Sequence, residues 1–216
     1  DSISQSKVIG TYNLNDEILD KKNELIFNKI LNKQIKRYDL IIVSDYGHGL
    51  ISKKSAITIC KKSKFLALNA QINASNIGYH TIRNYNRFNT LIINEKEIRH
   101  EMRDKIGKLE NLMKKLSLEK RIKNLIVTKG ESGSILYNKK TNKYFYADAF
   151  AKKVVDKIGA GDTMLSLVGP CLKNNVDHET TLLIGSLAAA HSVETIGNKD
   201  TIDKINFLKT LENILK

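Results

Sequence analysis

The stretch that decides the fold of this chain reads Val154-Val155-Asp156-Lys157-Ile158-Gly159-Ala160-Gly161-Asp162-Thr163-Met164. The two β-branched residues at its start predict the end of a strand, and the apolar run after Asp162 predicts a helix. Between them lie residues 159–161, called here the anion loop, whose glycines let the backbone approach an anion closely. A helix N-terminus presents unpaired N–H groups and the positive end of a dipole, so the stretch predicts a phosphate site.

Asp162 lies beside this predicted phosphate site. A phosphate would repel its carboxylate, so its presence there calls for a chemical role. Taking a proton from an attacking hydroxyl is such a role, so Asp162 is a candidate general base. A structural alternative is that Asp162 caps a helix while the glycines make a tight turn. The residues of this stretch alone leave both interpretations open.

Length and composition indicate one ordinary globular domain, expected over residues 1–216. Of the 216 residues, 41% are hydrophobic and 27% are charged, and no repeat, linker or composition break is visible. No apolar run approaches the roughly 18 residues that span a bilayer, and nothing at the start predicts a signal peptide. Cys60 and Cys171 are far apart in the sequence, as is typical of reduced thiols. We therefore expect a cytoplasmic protein without a membrane segment.

The net charge of +13 raises the question of a nucleic-acid partner. Of the 36 basic residues only six are Arg, whereas bidentate recognition of bases and phosphates favours Arg. The lysines are spread along the predicted helices rather than gathered in one block. We interpret the charge as a solvated surface, and nucleic-acid binding stays as a disfavoured alternative.

Short apolar strands alternate with helical patterns along the chain. Predicted helices cover residues 18–36, 52–62, a segment from 94, 107–119, 161–174, 179–194 and 204–215. Predicted strands cover residues 39–44, 65–68, 91–93, 124–128, 134–138 and 143–147, the first fully buried and the last two forming a hairpin. The alternation indicates an α/β fold with a mainly parallel central sheet and helices on both faces. Ligands of such folds bind at the carboxyl ends of the strands.

Three further polar elements each follow a predicted strand directly. They are Ser44-Asp45-Tyr46-Gly47-His48-Gly49, Asn94 with Glu97, and Thr128 with Gly130 and Gly133. Each also has a local explanation, respectively a polar turn, a capping box at a helix start and a hairpin turn. The sequence contains neither a P-loop nor a G-x-G-x-x-G motif after an early strand, which disfavours P-loop NTPases and Rossmann dehydrogenases.

Residues 156–162 resemble the D-T-x-G-A-G-D signature of the ribokinase-like (PfkB) carbohydrate kinases, with Lys157 in the place of Thr. The resemblance implies a three-layer, Rossmann-like fold. It also implies that the anion-loop backbone forms the anion hole and that Asp162 is the catalytic base. Asp156 is then the candidate ligand of a monovalent cation such as K⁺.

The other elements fit the same family and occur in family order. The segment from Ser44 resembles S-D-Y-G-K-G of the heptose-phosphate kinases, the kinase half of the bifunctional heptose kinase/ADP-heptose synthases, which implies a substrate-side role for Asp45. Asn94 and Glu97 match an N-x-x-E element that organises Mg²⁺. The residues that line the nucleotide in relatives correspond to Thr128, Gly130, Gly133 and Gly197.

Two departures from the family pattern bear on the substrate. Relatives are longer, and the part without a counterpart here is N-terminal and carries a Gly-Gly sugar-binding element and a lid. We therefore expect the chain as given to transfer little phosphate on its own. Residues 69–79 also lack the D-P-K segment of the heptose-phosphate kinases, so the sugar is not identified.

Taken with these departures, the resemblance implies ATP- and Mg²⁺-dependent phosphoryl transfer to a hydroxyl of a sugar or sugar phosphate. The partner would be that small molecule rather than nucleic acid or a membrane, and the family is compatible with a homodimer. Two alternatives stay open. One is a non-catalytic nucleotide- or sugar-binding module of the same fold, and the other is the basic nucleic-acid-binding protein.

Overall fold

A computed structural model of the chain describes residues 17–71, 81–195 and 201–216. The strands are β1 (Ile41–Asp45), β2 (Leu66–Ala70), β3 (Thr90–Asn94), β4 (Asn124–Thr128), β5 (Ser134–Asn138) and β6 (Lys143–Ala147). The helices are α1 (Lys21–Gln34), α2 (Lys53–Lys62), α3 (Glu95–Met102), α4 (Leu109–Lys120), α5 (Ala160–Lys173), α6 (His178–Val193) and α7 (Lys204–Leu215).

The strands form one six-stranded sheet in the order β1-β2-β3-β4-β5-β6. The first four are parallel, and β5 and β6 each run antiparallel to the preceding strand. Ser44 pairs with Asn69, and Asn94 pairs with Thr128. The carboxyl ends of these four strands therefore lie at one edge of the sheet, where the sequence predicted a ligand site.

Two apolar cores lie on opposite faces of the sheet, which confirms the predicted three layers. Successive strand residues point to opposite faces, so Leu125 and Val127 enter one core while Ile126 enters the other. The first core holds side chains from α2, α3 and α4, and the second holds side chains from α5 and α6. Both faces of the central strands are buried, as the apolar runs predicted.

Helices α5 and α6 approach each other closely at Gly185. A Cβ atom built on Gly185 would lie 2.5 Å from Cγ2 of Val168 and 3.0 Å from Met164. Such a close contact fixes the position of α5 against α6, and α5 in turn packs on the sheet through Leu165 and Leu172. The start of α5, which carries the anion loop, is thereby held at the carboxyl edge of the sheet.

Two predictions about strands were wrong. Residues 154 and 155 form no strand; instead the Val155 N–H donates to the Val193 carbonyl at 2.7 Å, which ties this segment to the end of α6. The strand predicted at 39–44 is shifted to 41–45 and is not fully buried, since Ile42 is 41% exposed. β1 is the edge strand of the sheet among the described residues, so one side of it is not covered by another strand.

The described helices include none that is both long and apolar enough to cross a membrane.

Candidate active site

A cavity of about 620 Å³ opens at the carboxyl edge of the sheet. Its walls come from the ends of β3 and β4, the β4–β5 turn, the segment after β6, the start of α5 and the C-terminal half of α6. The predicted site residues that line it are Asn94, Glu97, Thr128, Gly130, Gly133, Gly159, Ala160, Gly161 and Asp162. Among these predicted residues, Asn94 and Asp162 are 68 positions apart in the sequence and are brought to one cavity, as the strand-end pattern predicted.

The anion loop opens helix α5 without a side-chain cap. Gly159 is the N-cap residue and has φ 87° and ψ −9°, the left-handed region that favours glycine. Its carbonyl accepts from the Thr163 N–H at 2.9 Å and from the Thr163 hydroxyl at 2.8 Å. The backbone N–H groups of the first turn therefore face the cavity side with no side-chain acceptor from the N-cap.

Asp162 lies in the first turn of α5 and is half-buried at the cavity wall. Its Oδ1 accepts a hydrogen bond from the Ser44 hydroxyl, and its Oδ2 accepts one from the Tyr46 phenol at 2.8 Å. Burial, followed by the hydrogen bond to Asp162, raises the pKa of the Tyr46 phenol above its usual value. Tyr46 therefore stays a protonated donor at neutral pH.

Asp45 lies on the other face of β1, away from the cavity. It is 5% exposed, and its carboxylate accepts from the Tyr85 hydroxyl at 2.7 Å and from the Gly47 N–H at 3.0 Å. Burial, followed by the charge of Asp45, raises the pKa of Tyr85. The structure thus does not bring Asp45 to the cavity lining, and its predicted role toward substrate stays a prediction.

Asn94 and Glu97 form a complete capping box at the start of α3. The Asn94 Oδ1 accepts from the Glu97 N–H at 2.8 Å, and the Glu97 Oε2 accepts from the Asn94 N–H at 2.9 Å. Both residues also line the cavity, although Glu97 is only 7% exposed. The capping box that the sequence offered as the local explanation of this motif is therefore present. The same two side chains also border the cavity.

The turn between β4 and β5 forms a second wall of the cavity. Thr128 ends β4, and Gly130 and Gly133 both have positive φ, 60° and 77°. A Cβ built on Gly133 would lie 2.0 Å from the Ala147 carbonyl oxygen, so a larger residue does not fit there. Gly197, the fourth residue predicted at the nucleotide, lies outside the described residues.

Asp156 and Lys157 precede the anion loop and differ in exposure. Asp156 is 8% exposed, its Oδ1 accepts from the Ile158 N–H at 3.1 Å, and it does not line the cavity. Lys157 is exposed and lines the cavity, so the residue that replaces the family Thr adds an ammonium group to this wall.

The family model of the pfkB family carbohydrate kinases matches residues 28–205. The chain belongs to this family. The match contains every element that lines the cavity, from β1 to α6.

Relatives and solved structures agree with this assignment. The chain is 31% identical over 193 residues to the bifunctional protein HldE of Campylobacter fetus, covering 87% of this chain and 38% of that protein. The ribokinase of Thermotoga maritima has a TM-score of 0.67 at 21% identity, covering 84% of this chain and 59% of that one. Phosphofructokinase-2 of Escherichia coli in complex with potassium has a TM-score of 0.73 at 12% identity, covering 92% of this chain and 64% of that one.

These likenesses confirm the ribokinase-like fold, and the chain spans less than two thirds of each of the three proteins. Kinases of the pfkB family use ATP and Mg²⁺. No group of three or more His, Cys, Asp or Glu residues in the described ranges is placed to hold a metal ion by itself.

Sequence reasoning missed the two hydroxyl side chains that contact Asp162. Ser44 and Tyr46 are two residues apart, so they share one face of β1 and its extension, and Asp45 between them takes the other face. The alternation of side chains along residues 44–46 could have indicated that Ser44 and Tyr46 face the same side. Asn69 also lines the cavity beside the anion loop, and its pairing with Ser44 follows from the parallel register.

Proposed function

We propose that this chain carries the ATP-binding and catalytic part of a carbohydrate kinase. It transfers the γ-phosphoryl group of ATP to a hydroxyl of a sugar or sugar phosphate, with Asp162 as the general base. The observation that carries this proposal is that the anion loop and the Asp162 carboxylate line the same cavity of about 620 Å³. The family assignment supports the class of reaction.

The residues take complementary parts in the transfer. The acceptor oxygen forms a bond to the γ-phosphorus while the bond to the β-phosphate bridging oxygen breaks, and ADP leaves. The proton of the acceptor hydroxyl moves to a carboxylate oxygen of Asp162. The backbone N–H groups at the start of α5 stabilise the charge on the transferred group.

The other walls of the cavity serve binding. Thr128 and the two glycines of the β4–β5 turn line the nucleotide, and Lys157 adds a positive charge near the phosphates. Asn94 and Glu97 would hold Mg²⁺ through its water shell together with the phosphates, and the ion would supply positive charge to the nucleotide.

A monovalent cation belongs to the same proposal. Asp156 lies three residues before the start of the anion loop, and one of the structural neighbours was solved in complex with potassium. We expect Mg-ATP to bind more tightly in KCl than in tetramethylammonium chloride at equal ionic strength. Equal Mg-ATP affinity in the two salts would show that no monovalent cation supports nucleotide binding.

Mg-ATP titration and a transfer assay together test the function. Isothermal titration calorimetry should show Mg-ATP binding that single-stranded DNA does not compete away. Transfer of radiolabelled γ-phosphate, which detects slow turnover, is then measured over a panel of sugars and sugar phosphates. Slow transfer to at least one of them is expected, in line with the low activity expected for the chain as given. Nucleotide binding with no transfer to any would support the non-catalytic module, and DNA binding without Mg-ATP binding would support the nucleic-acid-binding alternative.

A further inference from the structure

Both carboxylate oxygens of Asp162 are held by hydroxyl groups from β1 and its extension. Ser44 donates to Oδ1, and Tyr46 donates to Oδ2 at 2.8 Å. These partners lie 118 and 116 residues away in the sequence. The contacts join the start of α5 to the end of β1 across the wall of the cavity.

A carboxylate in the first turn of a helix often bonds to its own helix. Here the N-cap residue is Gly159 and α5 has no side-chain cap hydrogen bond. The Asp162 carboxylate accepts instead from Ser44 in β1 and from Tyr46 in its extension. The carboxylate is therefore aimed by tertiary contacts, and its direction depends on the packing of α5 against β1.

We propose that Ser44 and Tyr46 are positioning residues that fix the carboxylate of Asp162 for proton transfer from the acceptor hydroxyl. This inference rests on the proposed function and names two residues that determine the geometry of its base. An ionised carboxylate offers about four lone-pair sites on its two oxygens. Two hydroxyl donors occupy one site on each oxygen, and the remaining sites accept the hydrogen of the substrate.

Tyr46 is exposed at the mouth of the cavity, where it can also contact the entering acceptor. Its side chain is 43% exposed and lines the cavity, and its ring lies 6.4 Å from that of His48 with an interplanar angle of 13°. Ser44 is less exposed than Tyr46. Ser44 thus anchors the inner oxygen of Asp162, while Tyr46 holds the outer oxygen at the place where the acceptor enters.

Steady-state kinetics test the proposal through a split between kcat and KM. Tyr46→Phe and Ser44→Ala should each lower kcat by about 10- to 100-fold, because a base displaced by a fraction of an ångström loses much of its effectiveness. The KM for ATP should stay within about twofold, because neither hydroxyl belongs to the nucleotide wall. Ser44→Thr keeps the hydroxyl and should recover most of the kcat that Ser44→Ala loses.

Two matched variants control for the loss of a hydroxyl as such. Ser166→Ala removes an exposed hydroxyl on α5 that bonds to the Thr163 carbonyl, and Tyr144→Phe removes a phenol that bonds to the Glu110 carbonyl. Neither residue lines the cavity, so both variants should keep the wild-type kcat. Wild-type kcat in Tyr46→Phe and Ser44→Ala would overturn the proposal.

An NMR titration tests the contact without any turnover. The protein is isotope-labelled at the Cζ atoms of its tyrosines, and the Tyr46 resonance is assigned by its loss in Tyr46→Phe. Asp162→Asn removes the charge beside the phenol, so the Tyr46 resonance should titrate at lower pH than in the wild type. An unchanged Tyr46 titration would overturn the contact itself.

The two proposals fail in different ways. If Asp162→Asn keeps the wild-type rate of transfer, the base assignment in the proposed function fails. If Asp162→Asn loses transfer while Ser44→Ala and Tyr46→Phe keep it, only the positioning role fails. If no transfer occurs in any variant, the titration of Tyr46 still decides whether the contact exists.

Discussion

Two helices begin at the cavity, and their starts are built differently. At α3, Asn94 and Glu97 satisfy each other's backbone N–H groups in a capping box. At α5, the N-cap is Gly159 with no side-chain cap, and the nearest carboxylate, Asp162, is directed to β1. The difference indicates that the α3 start is closed by its own side chains, whereas the α5 start leaves backbone donors for a ligand.

The largest effect is expected when the carboxylate at the α5 start is changed. Asp162→Asn should lower the rate of phosphoryl transfer by about 10²–10⁴-fold, because the amide cannot accept the proton. The nearly isosteric side chain should leave the Kd for Mg-ATP within a few-fold, as measured by calorimetry. Near-wild-type transfer by this variant would show that Asp162 is not the base.

The backbone of the α5 start is tested next. Gly159→Ala places a Cβ in the left-handed region, which costs about 1–2 kcal/mol of unfolding free energy in denaturant titrations, and the strained loop should bind Mg-ATP more weakly. Gly169→Ala is the matched control on the same helix, where an added Cβ meets Ala67 and Ile42 at ordinary contact distances of 3.4 and 3.5 Å. Equal Mg-ATP affinity in both variants would contradict a special role for the loop.

At the α3 start, stability as well as turnover should respond, because Asn94 is both the helix cap and a proposed Mg²⁺-binding residue. Asn94→Ala removes the cap acceptor and should lower the unfolding free energy by about 1 kcal/mol. Asn94→Asp keeps an acceptor at the same position and should stay near the wild type in the same denaturant titration. If Asn94→Ala has wild-type stability, the capping box does not account for the closed start of α3.

A smaller effect is expected at His178, which does not line the cavity. Burial and Lys123 lower the pKa of His178, whose Nε2 lies 2.9 Å from Asn138 Nδ2. Below about pH 6.5 the unfolded chain binds a proton that the folded chain does not, so folding stability should fall as the pH drops. His178→Gln should flatten that part of the profile. Denaturant midpoints measured from pH 7.5 to 5 check this, and an unchanged slope would contradict it.

The sequence predicted the elements whose signals are local. The apolar runs predicted β3 and β4, and the glycines at 159 and 161 predicted an anion site at what is the start of α5. The orientation of Asp45 and the two hydroxyl partners of Asp162 depend on which face of β1 meets α5. That is a tertiary choice, and the alternation along β1 constrains it only once the sheet order is known.

The strand wrongly predicted at 154–155 has a similar cause. Two β-branched residues favour extended backbone, but a strand needs a partner with a ladder of hydrogen bonds. Val155 and Asp156 instead donate to the Val193 carbonyl at the end of α6. Local preference favoured a strand here, and the packing of α6 decided the hydrogen-bond partner of this segment.

Amide hydrogen exchange in the presence of Mg-ATP tests the contrast between the two helix starts most directly. At the start of α3 the Asn94 and Glu97 N–H groups are already bonded, so nucleotide should change their exchange little. At the start of α5 the uncapped N–H groups of residues 160–162 should exchange several-fold more slowly when phosphate is bound. Mg-ATP binding, confirmed by calorimetry, that leaves residues 160–162 unprotected would contradict the account and place the phosphates elsewhere.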